Sequence, residues 1–276
     1  MQDNSFVSNL YRGISQRLRG LVNPASQKAG LNWFKEKYLK HASSGAIRSY
    51  NYHQKKIYFI NPSEFLHTLK EIFIHEIYKT ALPPDAFIID CGANIGLSTL
   101  YFKQLCPGAE LIAFEPDDKN FALLEKNIRS FQLEKVQARK EAIWIEDTLL
   151  NFSGEGTMGS RIDNQNKTNT HTVKATRLYD LLDRPVDFLK IDIEGAEYAV
   201  VKDISPRLNL VKNLFLEYHG KFDQTGELNE IFAILQQAGF YYYIKEAAEI
   251  YPNPFLARKS TFKPDYDVQL NIFCFR

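Results

Sequence analysis

Cysteine is scarce: three in 276 residues, at Cys91, Cys106 and Cys274, far apart and odd in number. Such a set supports neither a disulfide framework nor a zinc knuckle, and it points to a reducing compartment. No apolar run approaches the ~20 residues of a membrane-spanning helix. The N-terminus has basic residues but lacks the continuous apolar core of a secretory leader. An excess of one charge is missing too, since 34 Lys and Arg face 33 Asp and Glu for a net charge of +1. Whole-molecule attraction to nucleic acid or to a membrane surface is therefore not expected. No internal repeat is visible. With 45% hydrophobic and 24% charged residues, the chain reads as a cytoplasmic globular protein, one large domain or one domain with an appendage.

The stretch that organises the rest is Phe87-Ile88-Ile89-Asp90-Cys91-Gly92-Ala93-Asn94-Ile95-Gly96. Phe87 to Ile89 suit a parallel strand buried on both faces, and a helical pattern starts near Leu97. A strand that turns through glycines into a helix brings backbone N–H groups close to a ligand. The G-x-G-x-x-G of a dinucleotide fold is absent, because Gly92 and Gly96 flank Asn94. Asp90 at the strand end would repel a pyrophosphate but suits a cation such as a sulfonium. About 20 residues on, Leu111 to Phe114 lead into Glu115-Pro116, where an acid can take two ribose hydroxyls. A nucleoside with a cationic tail fits these features together, and S-adenosyl-L-methionine is such a molecule. Its expected cradle is Asp90, Gly92, Asn94, Gly96, Leu97 and Ser98. Glu115 and Pro116 are expected at the ribose, and Glu141 and Ala142 at the adenine.

Ahead of this stretch, Phe6, Val7, Leu10, Ile14, Leu18 and Leu21 recur at helical spacing with arginines on the other faces. That pattern suits packing on its own domain or on a second copy, as a homodimer contact, better than a membrane surface. A second helix is expected through Leu31, Phe34, Tyr38 and Leu39, and a strand over 56–60. A third helix, capped by Ser63, is expected to carry Phe65, Leu66, Leu69, Ile72, Phe73 and Ile77. Its end, at Phe73, Glu76 and Tyr78, is a candidate lining of the cofactor mouth. Residues 1–64 thus read as an N-terminal helical extension or cap, and 65–276 as an α/β domain. From residue 87 strands and helices alternate, which predicts a parallel sheet with helices on both faces. One strand is expected from Val136 to Ile143. A hairpin is expected across 144–178, around a polar loop. Residues 240–244 and 268–275 read as a final strand pair, the last one antiparallel.

A second chemical cluster lies in Phe188-Leu189-Lys190-Ile191-Asp192-Ile193-Glu194-Gly195-Ala196-Glu197. An apolar strand again delivers an acid, Asp192, to its carboxyl end. Glu194, Gly195 and Glu197 are expected to open the next helix, where the helix dipole accounts for acids. The strand Asn213 to His219 ends in both Glu217 and His219. Strands in such a sheet lie ~4.8 Å apart, so Asp192, Glu217 and His219 should converge at neighbouring strand ends. Glu194 completes the candidate catalytic set.

With these residues in hand, the chain resembles the FkbM family of S-adenosylmethionine-dependent methyltransferases. The resemblance rests on Ile89 to Gly96, Phe114-Glu115-Pro116, Glu141-Ala142-Ile143, Leu216 to His219 and, most specifically, Phe188 to Glu197. It covers roughly residues 65–276, and Cys91 stands where the family often has a small residue such as Ala or Val. It implies a class I methyltransferase fold, Rossmann-like, with a seven-stranded mostly parallel sheet, helices on both faces and here an N-terminal helical extension. It also implies O-methylation of a hydroxyl on a glycan or natural-product acceptor. Such a reaction needs the acceptor proton removed, by a base such as His219 or with help from a divalent metal. One histidine with two firm carboxylates makes a sparse cage, which favours the metal-free base. Two other readings stay open on the residues: a nicotinamide-dependent oxidoreductase on a Rossmann sheet, and a non-catalytic scaffold that keeps the fold.

Overall fold

The computed structural model describes residues 29–153, 161–162, 170–259 and 264–276. It divides the chain into two compact units, Met1–Lys79 and Thr80–Arg276. The amphipathic pattern from Phe6 to Leu21 and most of the polar loop after Ser153 lie outside the described residues.

In the first unit, helix α1 (Trp33–His41) opens on Asn32, whose side chain accepts the Lys35 N–H at 2.9 Å. Strands β1 (Arg48–Tyr52) and β2 (Lys55–Phe59) form an antiparallel hairpin. Its turn residues, His53 and Gln54, adopt φ of 44° and 67° without a glycine. That is why β1 leaves no turn signal in the sequence, where only its partner strand is legible. Helix α2 (Pro62–Leu69) is capped by Asn61 rather than Ser63: the Asn61 side chain accepts the Glu64 N–H at 3.4 Å, and Pro62 takes the first turn. A π-helical turn, Lys70–Ile74, ends the helix before Ile77. Phe65 of α2 stacks on Phe59 of β2 with ring centres 4.1 Å apart, and Phe73 meets Tyr52 at 5.0 Å. This aromatic core joins α2 to the hairpin, so residue 64 falls inside a packed helix and the units divide after Lys79.

The second unit alternates β3 (Phe87–Cys91), α3 (Leu97–Leu105), β4 (Glu110–Phe114), α4 (Asp118–Phe131) and β5 (Val136–Arg139). The chain then leaves the main sheet. The strand expected over 136–143 is broken, because Glu141 is drawn to Arg139 at 2.7 Å and Lys174 at 2.8 Å, and β6 (Ala142–Trp144) enters another sheet. That sheet also contains β7 (Thr148–Ser153), β8 (Arg161–Ile162) and β9 (Thr170–Arg177). β7 and β9 pair antiparallel, which is the expected hairpin, here enlarged to four strands in the order β6-β9-β7-β8.

A short helix, α5 (Leu178–Leu181), leads back to β10 (Val186–Ile191), α6 (Glu197–Ile204), β11 (Val211–Gly220), α7 (Thr225–Gln237), β12 (Tyr241–Glu246) and β13 (Val268–Phe275). The main sheet has seven strands in the order β5-β4-β3-β10-β11-β13-β12, and β13 runs antiparallel to both neighbours. All five residues of β3 are buried, as the apolar run requires. On one face Ile89, Leu189, Leu216 and Ile272 pack with Val200 of α6 and Ile231 of α7. On the other, Phe102 of α3 meets Phe188 at 4.7 Å. The chain steps outward from β3 to β5 and returns on the far side to β10. The switch point of strand order therefore lies between β3 and β10, where such sheets bind ligands beyond their carboxyl ends.

Candidate active site

The glycine turn after β3 is shaped by its neighbours. Gly92 has φ +87°, and a Cβ there would lie 1.8 Å from the Asp192 carbonyl oxygen. Only glycine lets the β3 and β10 ends come this close. Gly96 is also left-handed, and its added Cβ would meet Leu124 at 2.6 Å. Asn94 takes φ 50° and its side chain accepts the Ile95 N–H at 2.7 Å.

Asp90 is fully buried. Its Oδ2 accepts the Ser98 hydroxyl at 2.6 Å and that of Thr99 at 3.3 Å, while Oδ1 lies 3.6 Å from Lys190 Nζ. The acid expected to face a sulfonium thus also ties the strand end to the start of α3, and the Ser98 hydroxyl is used in that tie. Leu97 is buried at the same helix start.

Glu115, at the end of β4, is buried and accepts the Asn94 N–H at 2.8 Å and the Asp117 N–H at 2.9 Å, one on each oxygen. Each carboxylate oxygen keeps a lone pair for a ribose hydroxyl, so the residue fits the expected nucleoside. Burial is the main cause that pushes its pKa up to about 8, against the two backbone hydrogen bonds. Pro116 follows at intermediate exposure. Glu141 is occupied by Arg139, Lys174 and the Thr176 hydroxyl, which hold its carboxyl below the usual range although burial works the other way. Ala142 is buried in β6.

On the other side of the switch point, Asp192, Glu194 and His219 each bring one ligand-type atom within 4.8 Å of the other two. Glu217 joins them, with Oε1 3.6 Å from His219 Nε2. Asp192, Glu217 and His219, expected to converge, lie together, and Glu194 of the candidate set lies with them. Glu194 differs from expectation in its backbone: it has φ 55° and Gly195 φ 94°, in a turn before α6, which starts only at Glu197. The Tyr266 hydroxyl holds this turn by donating to the Glu194 carbonyl at 2.7 Å.

Two residues of the site were not singled out in the sequence. Glu197 is buried, accepts the Ile193 and Gly195 N–H groups at 3.2 and 3.0 Å, and meets His219 Nδ1 at 3.0 Å. Its place in a helix's first turn hid it behind the dipole explanation. Lys190 is buried in β10 and donates to the Gly92 carbonyl at 2.8 Å and to Asp192 Oδ2 at 3.0 Å. A lysine between Leu189 and Ile191 in a mostly apolar strand was the available signal. The electrostatics follow from this packing. Burial disfavours the charged His219, but the charge of Glu197 and its hydrogen bond, with Glu194 and Asp192 behind, raise its pKa to about 10. Burial raises Glu194 to about 8; His219 pulls it down, while Asp192 and Glu197 push it further up.

The strand order, the single reversed strand and the acid-bearing ends around a glycine turn are those of the class I methyltransferase fold. A model of the Methyltransferase FkbM domain matches residues 90–242, and the chain belongs to the FkbM methyltransferase family. Over 205 residues it is 32% identical to Methyltransferase 1 of Beauveria bassiana, which covers 64% of this chain and 80% of that protein. It is 26% identical over 167 residues to the 2-O-methyltransferase NoeI of Sinorhizobium fredii, 52% of this chain and 68% of that one. The crystal structure of Methyltransferase FkbM from Methylobacillus flagellatus KT is similar with a TM-score of 0.47 at 14% identity, over 76% of this chain and 54% of that chain.

Proposed function

We propose that this methyltransferase is S-adenosylmethionine-dependent and methylates a hydroxyl group on a glycan or natural-product acceptor. The observation that carries the reading is the contact between the two halves of the site. Lys190 bridges the Gly92 carbonyl and the Asp192 carboxylate, so the glycine turn and the acid–histidine set adjoin. When bound, S-adenosylmethionine supplies the methyl group as a sulfonium electrophile. Glu115 holds the ribose, the backbone from Gly92 to Gly96 carries the body of the ligand, and residues 141–142 flank the adenine. Asp192, Glu194, Glu217 and His219 orient the acceptor hydroxyl, and the carboxylates of the set take up its proton. An alcohol is a weak acid, and such uptake contributes ~10²–10⁴-fold in rate. That NoeI bears the name of a 2-O-methyltransferase supports oxygen as the acceptor atom.

Calorimetry against S-adenosylhomocysteine and against NAD tests the cofactor. Binding of the first and not the second is expected. Binding of NAD alone would overturn the reading in favour of an oxidoreductase.

A further inference from the structure

We infer that Asp192, Glu194 and His219 form a binding site for one divalent cation, of the class that carboxylates with a single imidazole hold, such as Mn²⁺ or Mg²⁺. The inference rests on the methyltransferase reading and names a component of that same site. His219 Nε2 lies 3.6 Å from Glu194 Oε2. This is too long for a hydrogen bond, yet close to the ~3–3.5 Å between neighbouring ligands of an ion bound at ~2.1 Å. The oxygen-rich donor set, with one nitrogen, matches a hard or borderline ion rather than a thiophilic one.

Two observations set this apart from a plain group of acids. The first is the orientation of His219, whose side chain is only 2% exposed. Its Nδ1 is committed to Glu197, which is itself fixed by backbone N–H groups. Its Nε2 faces Glu194 and Glu217, both at 3.6 Å and neither within hydrogen-bond reach. A buried carboxylate on one ring nitrogen, with the other aimed into a cluster of oxygens, is how proteins orient a metal-ligating histidine.

The second observation is Asn271, which pairs with Glu217 across β11 and β13 and so points to the same face of the sheet. It is 5% exposed, and among the described residues its Oδ1 has no hydrogen-bond partner. A buried oxygen left unsatisfied by protein groups marks a place that a ligand or its water can satisfy. Charge agrees. Asp192, Glu194, Glu197 and Glu217 surround His219, while Lys190 lies between Asp192 and Asp90. A dication beside His219 balances acids that would otherwise repel one another in a shielded site. The metal-free base favoured on sequence grounds counted only two firm carboxylates; Glu194 in its left-handed turn adds another.

The test is a titration of the full chain, stripped by chelation, with Mn²⁺ followed by electron paramagnetic resonance. Saturable binding of one Mn²⁺ per chain is expected, competed by Mg²⁺. Asp192→Asn and Glu194→Gln should each weaken it at least tenfold. Glu197→Gln, which removes only the orienting carboxylate, should weaken it ~10–100-fold. Thermal melts of each variant check that it is folded. No binding up to millimolar Mn²⁺, or binding unchanged in both Asp192→Asn and Glu194→Gln, overturns the inference. S-adenosylhomocysteine calorimetry on the same samples separates the two levels. A chain that binds the nucleoside but not Mn²⁺ loses only the cation site, and one that binds neither loses the S-adenosylmethionine dependence as well.

Discussion

Glu115 joins the two turns that flank the nucleoside position, since its oxygens accept the Asn94 and Asp117 N–H groups. On the proposed reading Glu115→Ala removes hydrogen bonds to the ribose worth ~1.5–3 kcal/mol each, so affinity for S-adenosylhomocysteine should fall at least tenfold by calorimetry. Unchanged affinity would remove Glu115 from the cofactor site. The same residue predicts a pH dependence. Its pKa is raised from 4.5 to about 8, so the folded chain holds this proton more tightly than the unfolded one. That contribution is complete below about pH 4.5 and is lost as pH rises towards 8. The ligand-free chain should therefore lose stability across this window, on the order of a few kcal/mol, and Glu115→Gln should flatten the curve. Parallel urea-derived curves for the two chains would contradict it. Acids such as Glu115 and Asp192 were legible because an ionisable residue at the end of an apolar strand has no part in the core. Lys190 and Glu197 were not, because one sits inside the strand and the other has a ready structural role.

At the scale of elements, the turn from β3 into α3 is held by Asp90 and its two hydroxyl partners. Ser98→Ala takes away the 2.6 Å bond and leaves the buried Asp90 Oδ2 with Thr99 at 3.3 Å. A loss of ~1–3 kcal/mol in urea unfolding is expected, with weaker S-adenosylhomocysteine binding as the helix start loosens. Wild-type stability in this variant would show that the tie carries no energy. The strands around this turn were legible, since Phe87 to Ile89 is an apolar run, Phe188 to Ile191 is one but for Lys190, and both end in chemistry. What escaped were features set by tertiary contacts. β1 is hidden by a turn made of His53 and Gln54. The break between β5 and β6 depends on Glu141 meeting Lys174, which is distant in sequence. The late start of α6 depends on Tyr266 gripping the Glu194 carbonyl.

At the scale of the molecule, the seven-stranded sheet was legible from the alternation of strands and helices, whereas the division after Lys79 was not. The extension beyond α2 follows from an aromatic core that pairs Phe65 with Phe59, a contact no periodicity announces. Trp33, Phe34 and Tyr38 of α1 leave large apolar side chains exposed. Among the described residues no helix is long and apolar enough to cross a membrane. We propose that the N-terminal unit shapes acceptor choice or forms a dimer contact without taking part in methyl transfer. A chain beginning at residue 21 should then differ in oligomeric state or product profile, by light scattering and product analysis, while still binding S-adenosylhomocysteine. No change in either would set that role aside.

As proposed, the joined glycine turn and acid–histidine set bind S-adenosylmethionine and pass its methyl group to a hydroxyl beside Asp192 and His219. The most direct measurement is transfer of labelled methyl from S-adenosylmethionine to a hydroxylated acceptor pool, scored as label that survives alkali, as an ether does and an ester does not. The account predicts alkali-stable label from the native chain. It predicts a loss of ~10²-fold or more in Asp192→Ala and in His219→Ala, with S-adenosylhomocysteine still bound by both. Full transfer by both variants, or label that alkali releases, would contradict it.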